Sequence, residues 1–407
     1  MPFCATILRP FALLYYAGIK LLRPVRHKVT LIGRRSDSAS ADFILLAASL
    51  AQLDRSLKIK IISSSKATRR ARFLGQLRQT SYELWHTANS SAVVLDGYAA
   101  SVSFFSQRKK LYVLQMWHTL GMLKRSSWQT IDAPDEPSGR RAQALRMHAN
   151  YTALLAPSDA LRESYRHAFR ITRTRIHTMV LPRYDLLRNP DMNRLDMIIS
   201  NHPELFAATP LVLYAPSARG GMRSSEGSGA ANNDTEGSHR QIEASKKLIQ
   251  ATEVRDLTLV IKPHPRLASQ YASLTDGQDS ELAQLLNLPH VFLNPPIDTL
   301  DLLAIVDHVI TDYSSLAFEA ATAGKPVWFY LYDHDDYLDT YGLNVDPTQH
   351  VPAACFADAQ TLIAALAQSS LPSTVQEQFL RSFVQPPEKT QVTAAQQIAR
   401  LVLQGIQ

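Results

Sequence analysis

The chain has 407 residues, which suits two domains of ~150–200 residues and is too long for one ordinary core. At 45% hydrophobic and 19% charged it is globular, which excludes a disordered protein. The net charge of +7 is unevenly spread: residues 1–128 carry 20 Lys and Arg against 5 Asp and Glu, so one face is expected to meet polyanions. Cys4 and Cys355 form neither metal spacing nor a disulfide framework, which points to a reducing compartment.

Residues 1–27 form a first unit. Phe3 to Leu22 is rich in apolar side chains, but Arg9, Pro10 and Lys20 interrupt it, so no uncharged run reaches the ~20 residues of a membrane span. Leu21-Leu22-Arg23-Pro24 offers no small-residue cleavage site. A short apolar helix followed by Arg23, Arg26, His27 and Lys28 predicts a peripheral anchor on an anionic membrane surface. The alternative is a core helix under the first sheet.

From Lys28 apolar strands alternate with amphipathic helices. Strands are expected at 29–33, 58–62, 92–95, 111–115, 152–157 and 176–181, then at 211–216, 257–262, 291–293, 308–311 and 326–330. This pattern predicts an α/β protein with two doubly wound, Rossmann-like domains, 28–188 and 189–407, in a GT-B-like arrangement around an interdomain cleft. The last helix is free to pack back on the first domain. Residues 220–239, dense in Gly, Ser, Asn, Asp and Glu, are expected to form a flexible loop. In such sheets ligands sit beyond the carboxyl ends of the strands, so the residues there are the candidates.

Three stretches stand out. Thr311-Asp312-Tyr313-Ser314-Ser315 ends a strand and opens a helix, where two hydroxyls and free backbone N–H groups suit phosphate oxygens. Glu319, about a turn on, is placed to accept from ribose hydroxyls; a plain helix cap and a surface Glu are the competing reading. Lys262-Pro263-His264-Pro265 delivers a cation and an imidazole at another strand end, with prolines fixing the backbone. Gln115-Met116-Trp117-His118-Thr119-Leu120-Gly121 follows a strand of the first domain. There His118 suits proton abstraction from a hydroxyl, Trp117 suits packing, and Gly121 suits close approach of backbone to a ligand. Arg183, where the domains meet, is a candidate for bidentate phosphate binding, and Arg219 follows Pro216 and Ser217 after the second domain's first strand. An ordinary salt bridge is the alternative for either arginine.

Trp117-His118, Pro182-Arg183-x-Asp185, Tyr214-Ala215-Pro216-Ser217-x-Arg219, Lys262-Pro263-His264-Pro265 and Thr311-Asp312-Tyr313-Ser314-Ser315 stand in the order of the CDP-glycerol glycerophosphotransferase family, which includes teichoic acid primases and polymerases and ribitol-phosphate transferases. Gly324-Lys325-Pro326-Val327-Trp328-Phe329-Tyr330 also resembles that family, and the likeness spans roughly residues 28–350. The resemblance implies His118 as general base, with His264 the second catalytic histidine. It implies Trp117, Thr119, Leu120, Gly121, Arg183, Pro216, Ser217, Arg219, Lys262, Pro263, Ser314, Ser315 and Glu319 as substrate-binding residues. Thr119 replaces the family's glycine, Ser217 its threonine, and Glu319 an aspartate common among relatives.

The implied donor is CDP-glycerol or CDP-ribitol and the implied acceptor a polyprenyl-diphosphate lipid, at the cytoplasmic face of the membrane. No cofactor or metal is expected, because protein cations are to manage the diphosphate. Asp333-His334-Asp335-Asp336 is read as a solvated turn rather than a magnesium site. The rival readings are a glycosyltransferase with a nucleotide-sugar donor and a non-catalytic, membrane-docked polyanion-binding protein. No recognised nucleic-acid motif is present, so nucleic acid is not an expected partner. The sequence is compatible with a homo-oligomer.

Overall fold

The computed structural model describes residues 2–33, 38–63, 72–133, 136–171, 175–217, 235–264, 271, 280–368, 373–387 and 392–407. Two six-stranded, wholly parallel sheets organise it. The first runs β2 (Lys58–Ile62), β1 (Lys28–Ile32), β3 (Ala92–Leu95), β4 (Tyr112–Gln115), β5 (Ala153–Ala156) and β6 (Ile176–Thr178). The second runs β12 (Cys355–Phe356), β11 (Val327–Tyr330), β10 (His308–Thr311), β7 (Leu211–Ala215), β8 (Thr258–Ile261) and β9 (Val291–Leu293). The expected α/β, doubly wound architecture is present twice.

Both sheets are covered by helices on two faces, so inner strands such as Lys28–Ile32 and Leu211–Ala215 are buried at every position. Edges are treated differently. β2 carries Lys58 and Lys60, while β9 and β12 are only three and two residues long, both of which discourage edge pairing with another chain. Strand order reverses between β1 and β3 in one sheet and between β7 and β10 in the other. Those switch points open crevices at the carboxyl edges, where the candidate residues lie.

The helix Pro2–Leu22 is not a core helix of the first sheet. Tyr16 and Ile19 pack on Leu84, Ala88 and Phe105 in a small cluster separate from the main core. Arg108 binds it from below, its Nη2 donating to the carbonyls of Lys20 and Arg23 at the helix end, which have no intrahelical donors. Among the described residues no helix is long and apolar enough to cross a membrane.

Residues 235–239, expected in the flexible loop, instead open the helix Thr235–Thr252. Gly237 and Ser238 are tolerated there because first-turn N–H groups need no intrahelical partner. Residues 220–234 lie outside the described residues.

The halves meet along two seams. In one, the loop after β4 adds to the second half: Asn344 and Val345 donate to the Leu123 carbonyl, and Gln129 donates to Asn344 at 2.7 Å. Gly121 sits against Phe318 so closely that a Cβ would lie 2.1 Å from the ring, and Phe318 cannot yield because it stacks on Phe379 at 5.3 Å. The second seam is ionic and is described below. The chain then returns: the helix Ala394–Gly405 packs on the first domain's helix Ala41–Leu53. Asp185 fixes its start, accepting from the N–H groups of Ala394 (3.1 Å) and Ala395 (3.2 Å).

Two stability effects are expected. Asp185→Ala removes a carboxylate from a helix N-terminus and lowers stability by about 1–2 kcal/mol in urea unfolding; an unchanged midpoint contradicts that anchoring role. Gly121→Ala costs about 1–3 kcal/mol by overpacking, and adding Phe318→Ala recovers part of the loss. Strictly additive losses rule out the contact as its cause.

Candidate active site

The His118 turn is built from β4 outward. Gln115, fully buried, donates to the Gly97 carbonyl and to the Tyr151 hydroxyl, and its side-chain oxygen accepts the Trp117 N–H at 3.0 Å. That bond helps hold Trp117 at φ +66°, a left-handed conformation that costs a non-glycine residue about 1–2 kcal/mol. The indole packs edge-on to Phe169 and beside His148, so Trp117 is a packing residue that points the next side chain outward. His148 is buried, which depresses its pKa to about 3, and the neutral ring bonds Tyr151 and Ser127.

His118 is half-buried, and its Nδ1 lies 3.0 Å from the Asp96 carbonyl oxygen. A carbonyl only accepts, so this bond places a proton on Nδ1. Thr119 donates to the Gly121 carbonyl at 2.6 Å, closing the turn that the missing glycine would have eased. The Leu120 side chain, expected to bind substrate, is in the core.

On the second domain, β7 ends in buried Pro216 and Ser217; the Ser217 N–H donates to Asp312 and its carbonyl accepts from Gln241. After β8, the Lys262 ammonium donates to the carbonyls of Pro295 and Ile297 at 2.8 and 2.9 Å. Two of its three N–H bonds are thus engaged by protein, and burial holds its pKa below the usual lysine value. Pro263 is buried and His264 half-buried beside it. After β10, the Ser314 hydroxyl accepts the Leu316 N–H at 3.3 Å, whereas the Ser315 side chain makes no capping bond to the helix Leu316–Thr322.

The ionic seam alters two expectations. Arg183 does not present a free fork to a phosphate. Its Nε and Nη2 donate to Asp42, its backbone N–H donates to the other Asp42 oxygen at 2.8 Å, and Nη1 donates to Glu319 at 2.6 Å. Glu319 does not stand open to a ribose: it is 4% exposed and bound to Arg183. Burial pushes its carboxyl above the ordinary value, against the pull of Arg183. Burial also opposes the Arg183 charge, but the two carboxylates outweigh it and raise its pKa. Gly121 likewise admits Phe318 rather than a ligand.

These contacts bring the two sides together. Through the contact of Gly121 with Phe318, chain geometry keeps the α-carbons of His118 and Ser315 within about 25 Å. The acidic run, expected as a solvated turn, opens the helix His334–Thr340: Asp333 accepts from Tyr313, His334 meets both Asp346 and the exposed Asp335, and Asp336 meets Arg240. Arg219 and Pro265 lie outside the described residues. Asp42, Asp96, Gln115 and Phe318 carry much of the geometry and have no sequence signal of their own. Asp42 reads only as an acid in a helix's first turn, a common surface feature.

A profile of the CDP-Glycerol:Poly(glycerophosphate) glycerophosphotransferase family matches residues 15–404. The chain is 26% identical over 355 residues to a teichoic acid ribitol-phosphate primase of Bacillus spizizenii, covering 86% of this chain and 84% of that one. It is 24% identical over 301 residues to a teichoic acid glycerol-phosphate primase of the same organism, covering 72% and 70%. Its fold is similar to that of the wall teichoic acid polymerase TagF soaked with CDPG, with a TM-score of 0.67 at 17% identity over 100% of this chain and 97% of that one. The chain belongs to the CDP-Glycerol:Poly(glycerophosphate) glycerophosphotransferase family.

Proposed function

We propose that the chain transfers glycerol phosphate or ribitol phosphate from a CDP-alditol to a polyprenyl-diphosphate-linked acceptor, releasing CMP, in the synthesis of a teichoic-acid-like polymer. The observation that carries this reading is the His118 turn: an imidazole with Nδ1 bonded to a backbone carbonyl, on a turn whose Gly121 packs against Phe318 of the helix that Ser314 and Ser315 open. Primases for both alditols among the relatives support the donor class.

In this mechanism the nucleotide rests on the second domain. Ser315, the remaining Lys262 N–H and His264 surround the diphosphate. Nε2 of His118 takes the proton of the acceptor hydroxyl, whose oxygen attacks the phosphorus bearing the alditol. The bond from that phosphorus to the bridging oxygen breaks, and CMP leaves with the electron pair. Negative charge spreads over the phosphoryl oxygens as this happens, so fixed N–H and O–H donors lower the barrier more than they tighten binding. Arg183 and Glu319 act in this reading as the frame and not as ligands.

The helix Pro2–Leu22 supports a peripheral place on the cytoplasmic face of the membrane. Phe11, Leu14, Tyr15, Leu21 and Leu22, at helical spacing, are 53–87% exposed along its outer side. Arg23, lying over the Trp85 ring at 4.3 Å, and exposed Arg26 flank its end and suit anionic headgroups.

His118→Ala should lower turnover about 10²–10⁴-fold with near-normal CDP-alditol binding, followed as CMP release from CDP-glycerol and CDP-ribitol in parallel with UDP-sugar controls. Wild-type turnover by that variant would remove His118 as the base, and consumption of UDP-sugars alone would replace the donor class. Combined Leu14→Glu and Leu21→Glu should cut flotation with anionic vesicles at least about tenfold, since each buried leucine contributes about 2 kcal/mol. Flotation equal to wild type at low and high salt rejects the anchor.

A further inference from the structure

The ion triad that joins the domains holds one cation against two carboxylates, all largely removed from water: Arg183, Asp42 and Glu319 side chains are 18%, 2% and 5% exposed. As a stabilising device this is poorly balanced. Arg183 and Glu319 alone would be a neutral pair, and a second buried carboxylate adds desolvation that one guanidinium shares between two acids. What Asp42 adds is geometry. It accepts three N–H groups of one residue, which fixes Arg183 at both its backbone and its guanidinium. The fixed guanidinium then presents Nη1 to Glu319, whose neighbour Phe318 packs directly on Gly121, three residues after His118. Asp42 is itself held rigidly, in the first turn of the helix Ala41–Leu53, whose cap Ser40 accepts the Phe43 N–H, and the chain's last helix packs over it.

We infer that Asp42 is a positioning residue for the transfer reaction: through Arg183 and Glu319 it sets where the His118 turn stands relative to the second domain. It touches neither donor nor acceptor. The inference rests on the proposed reaction, in which the base and the nucleotide belong to opposite halves and their separation must be held within a fraction of an ångström. A misplacement of ~1 Å in such a step costs about 10²-fold in rate while leaving ground-state binding on one domain almost intact.

The test compares Asp42→Asn, which keeps the shape and removes the charge, with Asp42→Glu, which keeps the charge and moves it by a methylene. For Asp42→Asn the expected result is a kcat lowered about 10–100-fold with KM for the CDP-alditol within about threefold of wild type, and for Asp42→Glu a smaller kcat loss. Hydrogen exchange at the Leu120 amide provides a readout independent of activity: it should quicken about tenfold in Asp42→Asn while amides of the buried strands Ala92–Leu95 and Leu211–Ala215 keep their protection. Unchanged kcat together with unchanged Leu120 exchange overturns the inference. So does a loss of protection spread evenly over both sheets, which marks Asp42 as a general stabiliser. If Asp42→Asn does not fold, Asp42→Glu with wild-type kcat and wild-type Leu120 exchange overturns it equally. A wild-type protein inactive on every CDP-alditol defeats the proposed reaction instead, and the exchange result then stands as the measure of Asp42.

Discussion

A guanidinium shared by two buried carboxylates ties the halves of this molecule together, and the geometry of the candidate site follows from it. Arg183 meets Asp42 on the first domain and Glu319 on the second, and Phe318, next to Glu319, packs on Gly121 of the His118 turn. In water such pairs contribute little, but here the carboxylates are nearly fully buried, where direction and distance are strongly enforced. The bridge is therefore better understood as a ruler than as a source of stability. Phe318 next to Glu319, pressed on Gly121, gives the same seam an apolar floor.

That constraint gives the two crevices their complementary character. On the first domain, a strained turn braced by Gln115 directs an imidazole whose Nδ1 bonds a backbone carbonyl. On the second, hydroxyls and one partly engaged lysine stand at strand ends. In the proposed reaction the base comes from one half and the groups that grip phosphate from the other. The outer face of the N-terminal helix adds a third element, an apolar strip with cations at its end, which the proposed reaction uses to reach a lipid-borne acceptor.

The fold was largely legible because parallel strands buried on both faces leave continuous runs of Val, Ile and Leu between turn residues. β12 was not legible, since two residues carry no periodicity. The polar stretch gives way to helix earlier than its composition suggests, because Gly237 and Ser238 read as loop although a first helical turn accepts them. The site was half legible. Residues that end strands, such as His118, Lys262 and Ser314, announced themselves by position. The partners of Arg183 and Glu319 did not, because a long-range ion pair between residues 136 apart leaves no local pattern. For the same reason Gly121 suggested room for a ligand, when its neighbour is a phenyl ring brought from another domain.

The most direct measurement is a crystal structure of the protein soaked with CDP-glycerol, with His118→Asn used to slow turnover. A nucleotide on the second domain, its diphosphate within hydrogen-bonding reach of Ser315 and His264, and the alditol phosphate turned toward residue 118 are the expected result, with the Arg183 bridge intact. A nucleotide bound wholly within one domain, its alditol phosphate pointing away from residue 118 while the bridge stays closed, would contradict the shared crevice on which the mechanism depends.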